Sequence, residues 1–170
     1  ASQYAGKQLA YQDAIRLLAG RYGMHWLEFT DLAITAVEAY MRRYSSDRVE
    51  ILAVEEQQRS EIAGSYVFTQ RADVTLRPRG GGIQTWDHKT TSGWLSQKTV
   101  ERYTLSGQFL GLRRFGPLLH GSDWAGVQIN IVQLDDDQPR FRREPPGVAP
   151  HALRCFSQSI VDAEEDITRL

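Results

Sequence analysis

The segment IQTWDHKTT (residues 83–91) holds the residue types best suited to chemistry. Asp87 and Lys89 are separated by one residue, so in a strand both point to one face and His88 points to the other. A carboxylate is a ligand for hard divalent cations, and a nearby lysine can position or deprotonate a water or neutralise charge on a phosphate. With 21 acidic residues and three lysines in the chain, this spacing also arises by chance and needs support from other positions.

Two further carboxylates offer that support. Asp73 lies on the polar face of a clear strand, and Glu55 lies at the end of the preceding strand. If the strand that carries Asp73 pairs with the strand that carries Asp87, the two carboxylates come side by side. Like charges so placed raise the pKa of at least one group unless a cation lies between them. The alternative is plainer: Asp73 is a solvated strand charge, and Glu55, like Glu56 beside it, belongs to the surface.

The elements that must position these residues follow from periodicity and punctuation. Strands are predicted over 48–56, 65–76, 83–90 and 125–134, and helices over 6–20, 26–44, 97–115 and 150–169. The glycine-rich RPRGGG is predicted to connect two strands, Gly116-Pro117 to end the third helix, and DDDQPRFRREPPGVAP to form a loop or an irregular edge segment. This order predicts an α/β domain with a small mixed central sheet flanked by helices.

Composition limits the class of protein. A chain of 170 residues fits a single domain spanning residues 1–170. No apolar run is long enough for a membrane span, and the N-terminus does not resemble a signal peptide, so we expect an intracellular, cytoplasmic protein with no membrane partner. One cysteine, Cys155, excludes a multi-cysteine metal cluster. A net charge of −1 gives no general basic field.

The remaining aromatic and histidine residues are expected to be structural. His25, His120 and His151 show no metal-ligand spacing, and His88 is expected to pack or to form hydrogen bonds. Trp26, Trp94 and Trp124 are expected in the core or at its rim rather than as stacking platforms for bases.

Four segments taken together resemble the motifs of the PD-(D/E)XK nuclease superfamily. They are ILAVEEQ, TQRADVTL, IQTWDHKTTSG and YTLSGQFLGL. The closest branch is the RecB-like one, which includes phage-associated exonucleases. The resemblance covers about residues 48–134, and more loosely the flanking helices, and it implies a nuclease core over about 26–134. It implies a restriction-endonuclease-like αβββαβ core and a Mg²⁺- or Mn²⁺-dependent deoxyribonuclease. The expected role is an exonuclease in DNA recombination, repair or phage DNA processing.

The resemblance also implies roles for individual residues. Metal coordination falls to Glu55, Asp73, Asp87 and the backbone of His88, and catalysis to Lys89. Gln108 matches a glutamine on the downstream helix, expected to contact the substrate backbone or the lysine. For a DNA partner, the candidate phosphate contacts are arginines: Arg71, Arg77, Arg79, Arg102, Arg113 and Arg114.

The sequence departs from the family pattern at three points. Ile34 stands where many members have a histidine in the helix before the first strand. Leu112 replaces a tyrosine that often follows the glutamine. Members with an iron–sulfur cluster use four cysteines, which this chain lacks, so no such cluster is expected. The first departure keeps open an alternative, a non-catalytic nucleic-acid-binding module on the same fold. The sequence also leaves open whether cleavage is endonucleolytic or exonucleolytic, which polarity it has, and whether the substrate is DNA or RNA.

Overall fold

The computed structural model describes residues 27–62, 66–134 and 138–169. These residues form an α/β fold of helices and strands. The elements, in chain order, are α1 (Leu27–Arg43), β1 (Val49–Ile62), β2 (Tyr66–Pro78), β3 (Ile83–Thr91), α2 (Gln97–Thr104), α3 (Gly107–His120), a 3₁₀ turn (Gly121–Asp123), β4 (Trp124–Gln133), β5 (Arg140–Glu144) and α4 (Pro150–Thr168).

The five strands form one mixed sheet in the order β1-β2-β3-β4-β5. The pairs β1–β2, β2–β3 and β4–β5 are antiparallel, whereas β3 and β4 run parallel. Parallel neighbours need a crossover, and α2 and α3 supply it. The predicted α/β class and the mixed sheet are therefore confirmed, and β1, β2 and β3 form an antiparallel meander.

The predicted helix over 97–115 is wrong at both its middle and its end. The chain breaks after Thr104, and Ser106 begins α3 as an N-cap whose hydroxyl accepts the N–H of Phe109. The helix then passes through Pro117 and ends at Gly121, which has a φ of 58°. Proline leaves one carbonyl of the preceding turn without its donor, but the N–H of Gly121 still closes on the Pro117 carbonyl.

Two other elements differ from the sequence prediction. The first strand continues beyond residue 56 to Ile62, because it pairs with β2 along its whole length. The segment assigned to a loop or irregular edge contains β5, a short edge strand that pairs with β4 from Gln133 to Ile129. The helix predicted over 6–20 and the residues His25 and Trp26 lie outside the described residues.

The main core lies between the sheet and the crossover helices. Phe109 and Leu112 of α3 are fully buried against Ile129 and Ile131 of β4, and Val100 of α2 joins the same cluster. Burial of side chains of this size stabilises the fold by about 1.5–3 kcal/mol each. This packing fixes α3 over β3 and β4, where the candidate site lies.

Arg143 of β5 attaches α1 to the opposite face of the sheet. Its guanidinium lies over the rings of Trp86 (4.1 Å) and Tyr44 (3.8 Å). It donates to Tyr40 Oη at 2.8 Å and to Asp47 Oδ2 at 2.6 Å. Its planar donors and flat faces are therefore used together, as arginine allows and lysine does not.

In the described residues, no helix combines the length and the apolar character that crossing a membrane requires.

Gly116 tests the contact between α3 and β4. A Cβ at this position would overlap the rigid indole ring of Trp124. We expect Gly116→Ala to lower the free energy of unfolding by about 1–3 kcal/mol, although alanine is otherwise the better helix former by about 1 kcal/mol. Urea denaturation measures the change. Gly147→Ala is the control, because nothing lies within 4 Å of its Cβ, and a stable Gly116→Ala would contradict this packing.

Candidate active site

The candidate site lies where β2 and β3 separate. Their ladder has three pairs, Leu76↔Gln84, Thr75↔Thr85 and Val74↔Trp86, and it stops there. The next pair in this register would be Asp73 opposite Asp87. Beyond that point β2 pairs with β1 alone, and β3 pairs with β4 alone. The two strands thus form a fork with Asp73 and Asp87 at its apex.

Glu55 occupies the corresponding position on β1. The β1–β2 ladder contains Val54↔Val74 and Glu56↔Ala72 but omits the pair between them, Glu55 and Asp73. The register therefore aligns the three predicted carboxylates in one row across β1, β2 and β3. Glu55 has a φ of 52° and is the non-glycine residue with positive φ among those described. This conformation is uncommon for glutamate and costs of order 1 kcal/mol or more.

The backbone irregularity at this row reverses the faces of β2. Phe68 stacks on Phe115 of α3, yet Val74 pairs with Trp86, which faces α1. In an unbroken strand, residues six apart share a face. Ala72 still belongs to the α3 side, so the reversal falls at Asp73. Asp73, expected on the polar face of a regular strand, therefore lies where the two faces of β2 exchange sides.

Asp87, Lys89 and Gln108 form a closed ring of polar contacts. Asp87 is 0% exposed. Its Oδ1 accepts from Gln108 Nε2 at 2.5 Å, and its Oδ2 lies 2.5 Å from Lys89 Nζ. Lys89 Nζ also donates to Gln108 Oε1 at 2.8 Å. The predictions that Asp87 and Lys89 share a face and that Gln108 contacts the lysine are confirmed.

The pKa of the Asp87 carboxyl lies above its ordinary value. Burial is the largest cause, since a buried carboxylate loses its hydration. The hydrogen bond and charge of Lys89 act in the opposite direction, while the negative charges of Asp73 and Glu55 raise the pKa further. The expectation of one raised carboxyl pKa is confirmed in direction, but burial contributes more than the crowding of like charges.

Asp73 turns its carboxylate along the sheet toward β3. Its Oδ2 accepts the backbone N–H of His88 at 2.7 Å, so a side chain takes the place of a strand carbonyl at the apex of the fork. The His88 ring lies on the α1 face, edge-on to Tyr40 at 6.0 Å between ring centroids. His88 therefore has the packing role predicted for its side chain, and its backbone adjoins Asp73.

The donor set fits a hard divalent cation in chemistry but not in its present arrangement. Three carboxylates aligned in one row are the oxygen ligands that Mg²⁺ and Mn²⁺ accept. Nevertheless, no three His, Cys, Asp or Glu side chains among the described residues are close enough to hold an ion together. Lys89 and Gln108 use both oxygens of Asp87. Each oxygen keeps a second lone pair, but a cation at Oδ2 would lie close to the Lys89 ammonium group, and the two positive charges would repel each other.

The predicted phosphate-binding arginines divide into two groups. Three have protein partners: Arg77 contacts Asp123 at 3.0 Å, Arg113 donates to the carbonyl of Pro146 at 2.6 Å, and Arg114 donates to Ser157 at 3.0 Å. The other three, Arg71, Arg79 and Arg102, are exposed, and the first of them lies on the β2 arm of the fork, two residues from Asp73. Trp94, expected in the core or at its rim, is exposed, and the guanidinium of Arg140 lies 4.3 Å from its ring centroid. The Gly-Trp-Leu sequence in a short loop was the available signal for this exposure.

Comparison with known proteins adds little. No family model matches the chain, and no curated protein matches it. Among solved structures, the chain is similar to the crystal structure of a protein named SSO0001, with 12% sequence identity and a TM-score of 0.43. The match covers 92% of this chain and 70% of the other. The score is too low to define a shared fold, and that name states no activity.

The raised pKa of Asp87 predicts a pH dependence of stability in the presence of chelator. A carboxyl whose folded pKa exceeds its unfolded value stabilises the fold fully below the unfolded value, 3.8, and this contribution is lost as pH rises through the folded pKa. We therefore expect the unfolding free energy of wild type, relative to Asp87→Asn, to fall from about pH 4 toward neutrality.

Urea unfolding of both proteins at several pH values measures this difference. The ¹³C NMR signal of the Asp87 carboxyl, assigned by its absence in Asp87→Asn, reports the protonation directly. A difference that stays constant, with a signal that titrates at or below the ordinary value, would contradict the assignment.

Proposed function

We propose that the chain is a Mg²⁺- or Mn²⁺-dependent deoxyribonuclease, with a PD-(D/E)XK core of the RecB-like branch. The observation that carries the proposal is the buried ring of Asp87, Lys89 and Gln108 at the apex of a strand fork. Asp73 and Glu55 lie in the same row. An acidic row with one lysine on its face suits phosphodiester hydrolysis, which requires charge stabilisation and a positioned water.

Each residue of the row has a distinct part in the proposed reaction. Asp73, Asp87, Glu55 and the backbone of His88 would hold the cation, which when bound polarises a phosphate and lowers the pKa of a water. Lys89, whose side chain is 24% exposed, reaches from the buried carboxylate toward solvent. Its ammonium group would orient the attacking water or neutralise charge on the phosphate. Gln108 holds Lys89 and Asp87 in register.

The fold supports the proposal at the level of element order. A helix, three antiparallel strands, a helical crossover and a parallel fourth strand follow the expected αβββαβ series. The split crossover, β5 and α4 are additions to that core. An exonuclease working in DNA recombination, repair or phage DNA processing is the form that we propose.

One observation favours a second candidate, a non-catalytic nucleic-acid-binding module. Lys89 already neutralises Asp87, and the described carboxylates are not gathered around a common point. Asp87 therefore has a positive partner without a cation, so its buried charge does not depend on a bound metal. Cleavage assays separate the two candidates.

Metal dependence is the first test. Linear DNA incubated with Mg²⁺ or Mn²⁺ should be cleaved, and EDTA should abolish the cleavage. Ca²⁺ should bind but support little turnover, because its looser coordination positions the water poorly. Gel electrophoresis of end-labelled DNA measures the products and distinguishes terminal from internal cleavage. Equal cleavage with and without chelator would rule out this mechanism.

A pair of lysine variants provides the second test. We expect Lys89→Ala to lower the cleavage rate by about 10²–10⁴-fold, the usual range for loss of a general acid–base or charge-stabilising group. Metal binding should remain measurable by calorimetry, because Lys89 does not coordinate the ion. Lys98→Ala removes an exposed lysine at the start of α2 and should leave the rate nearly unchanged. Wild-type rates in both variants would show that Asp87-x-Lys89 is a chance spacing.

A further inference from the structure

We infer that Trp94 is a stacking platform for an unpaired base, so that the proposed nuclease site takes single-stranded DNA or a frayed DNA end. The inference rests on the proposed function for the chemistry of the site, but its geometry stands separately. Four features support it: the position of Trp94 just beyond one arm of the fork, the hydrogen bonds that hold its loop, the exposure of its ring and the arginine cation on that ring.

Trp94 lies just beyond one arm of the fork. Past the apex, β3 continues from Asp87 to Thr91 and pairs with β4 alone. Trp94 follows three residues after the end of this arm. At the reach of an extended chain, it lies at most about 17 Å from Lys89. This distance is within the length of a short oligonucleotide bound at the apex.

The loop that carries Trp94 is held by hydrogen bonds. The Trp94 carbonyl accepts from Thr99 Oγ1 at 2.8 Å and from the N–H of Ser96 at 2.9 Å. The N–H of Leu95 donates to Gln133 Oε1 at 3.0 Å, which ties the loop to the end of β4. An aromatic residue on such an anchored loop loses little conformational freedom when a base stacks on it.

The indole ring itself is exposed on a surface that supplies positive charge. Trp94 is 67% exposed, far more than the partly buried Trp124. Arg140 of β5 places its guanidinium 4.3 Å from the ring centroid and so covers one face. With 67% of Trp94 exposed, much of the ring surface stays accessible to a base. An aromatic face with an arginine beside it is the combination that binds single-stranded nucleic acid, through base stacking and backbone attraction.

An exposed aromatic ring such as that of Trp94 favours unpaired bases over duplex DNA. In a duplex each base is stacked between its neighbours, and only an end or a separated strand offers a free face. The exposure of Trp94 (67%) excludes the core part of the prediction that it is a core or rim residue. Trp124, which packs against the core, fits that prediction.

The test measures binding of a fluorescein-labelled, single-stranded oligonucleotide of about 12 nucleotides in Ca²⁺, with a blunt duplex of the same sequence as comparison. We expect wild type to prefer the single strand. Trp94→Ala should weaken single-strand binding by roughly 5- to 150-fold, the range measured for loss of one base–aromatic stack. Trp94→Phe should retain most of the affinity, and duplex binding should not change.

Leu118→Ala is the matched control. Leu118 is 62% exposed and lies before the start of β4, whereas Trp94 lies near the end of β4. Its removal should leave single-strand binding unchanged. A series of oligonucleotides with one abasic site at each position adds a test of stacking itself. Wild type should lose affinity at one or two positions, and Trp94→Ala should bind the intact and abasic strands equally.

The outcomes separate this inference from the proposed function. Trp94-dependent binding without any cleavage in Mg²⁺ or Mn²⁺ supports the platform and removes the nuclease. Cleavage by wild type, together with equal single-strand binding by wild type and Trp94→Ala, overturns the platform and keeps the nuclease. A wild type that binds the duplex as tightly as the single strand, or binds neither, also overturns the platform.

Discussion

The buried carboxylate of Asp87 is the constraint on which the candidate site depends. A fully buried, unpaired carboxylate would be strongly destabilising, so the fold must supply partners. Lys89 comes from the same strand, two residues on, and Gln108 comes from the first turn of α3. Because one partner belongs to a helix, satisfying Asp87 also fixes α3 over β3. The packing of Phe109 and Leu112 against β4 and the polar ring therefore support each other.

The fork between β2 and β3 keeps the carboxylates of Asp73 and Asp87 from lying directly opposite each other. A continuous ladder would set Asp73 directly opposite Asp87 and cover both with neighbouring side chains. Instead the ladder stops one pair earlier, and Asp73 turns to accept the N–H of His88. The strained conformation of Glu55 lies in the same row. Strain that persists at a cluster of functional residues is common where surrounding structure enforces it, here the long β1–β2 ladder on either side.

Local periodicity predicted much of this site but could not predict its irregular part. The shared face of Asp87 and Lys89 follows from the strand period alone, because β3 is unbroken there. The face reversal at Asp73 has no such signal, since glutamate and aspartate are not the residues that usually mark a bulge. The break before α3 was readable in principle, because Ser106 followed by glycine is a good N-cap. The hydrophobic pattern continues across residues 97–115 and therefore predicts one helix. Proline often ends a helix, but α3 continues through Pro117.

Lys89 connects the ion pair that it forms with Asp87 to the proposed chemistry of the site. In the present arrangement its ammonium group supplies the positive charge that Asp87 needs, and Gln108 holds both. A cation held by Asp73, Asp87 and Glu55 would lie near the Lys89 ammonium group, and the two positive charges would repel each other. In the proposed function Lys89, whose side chain is partly exposed, would act on the attacking water or on the phosphate. One side chain can thus stabilise the fold without metal and act on substrate with it, so the neutralised Asp87 does not by itself argue against catalysis.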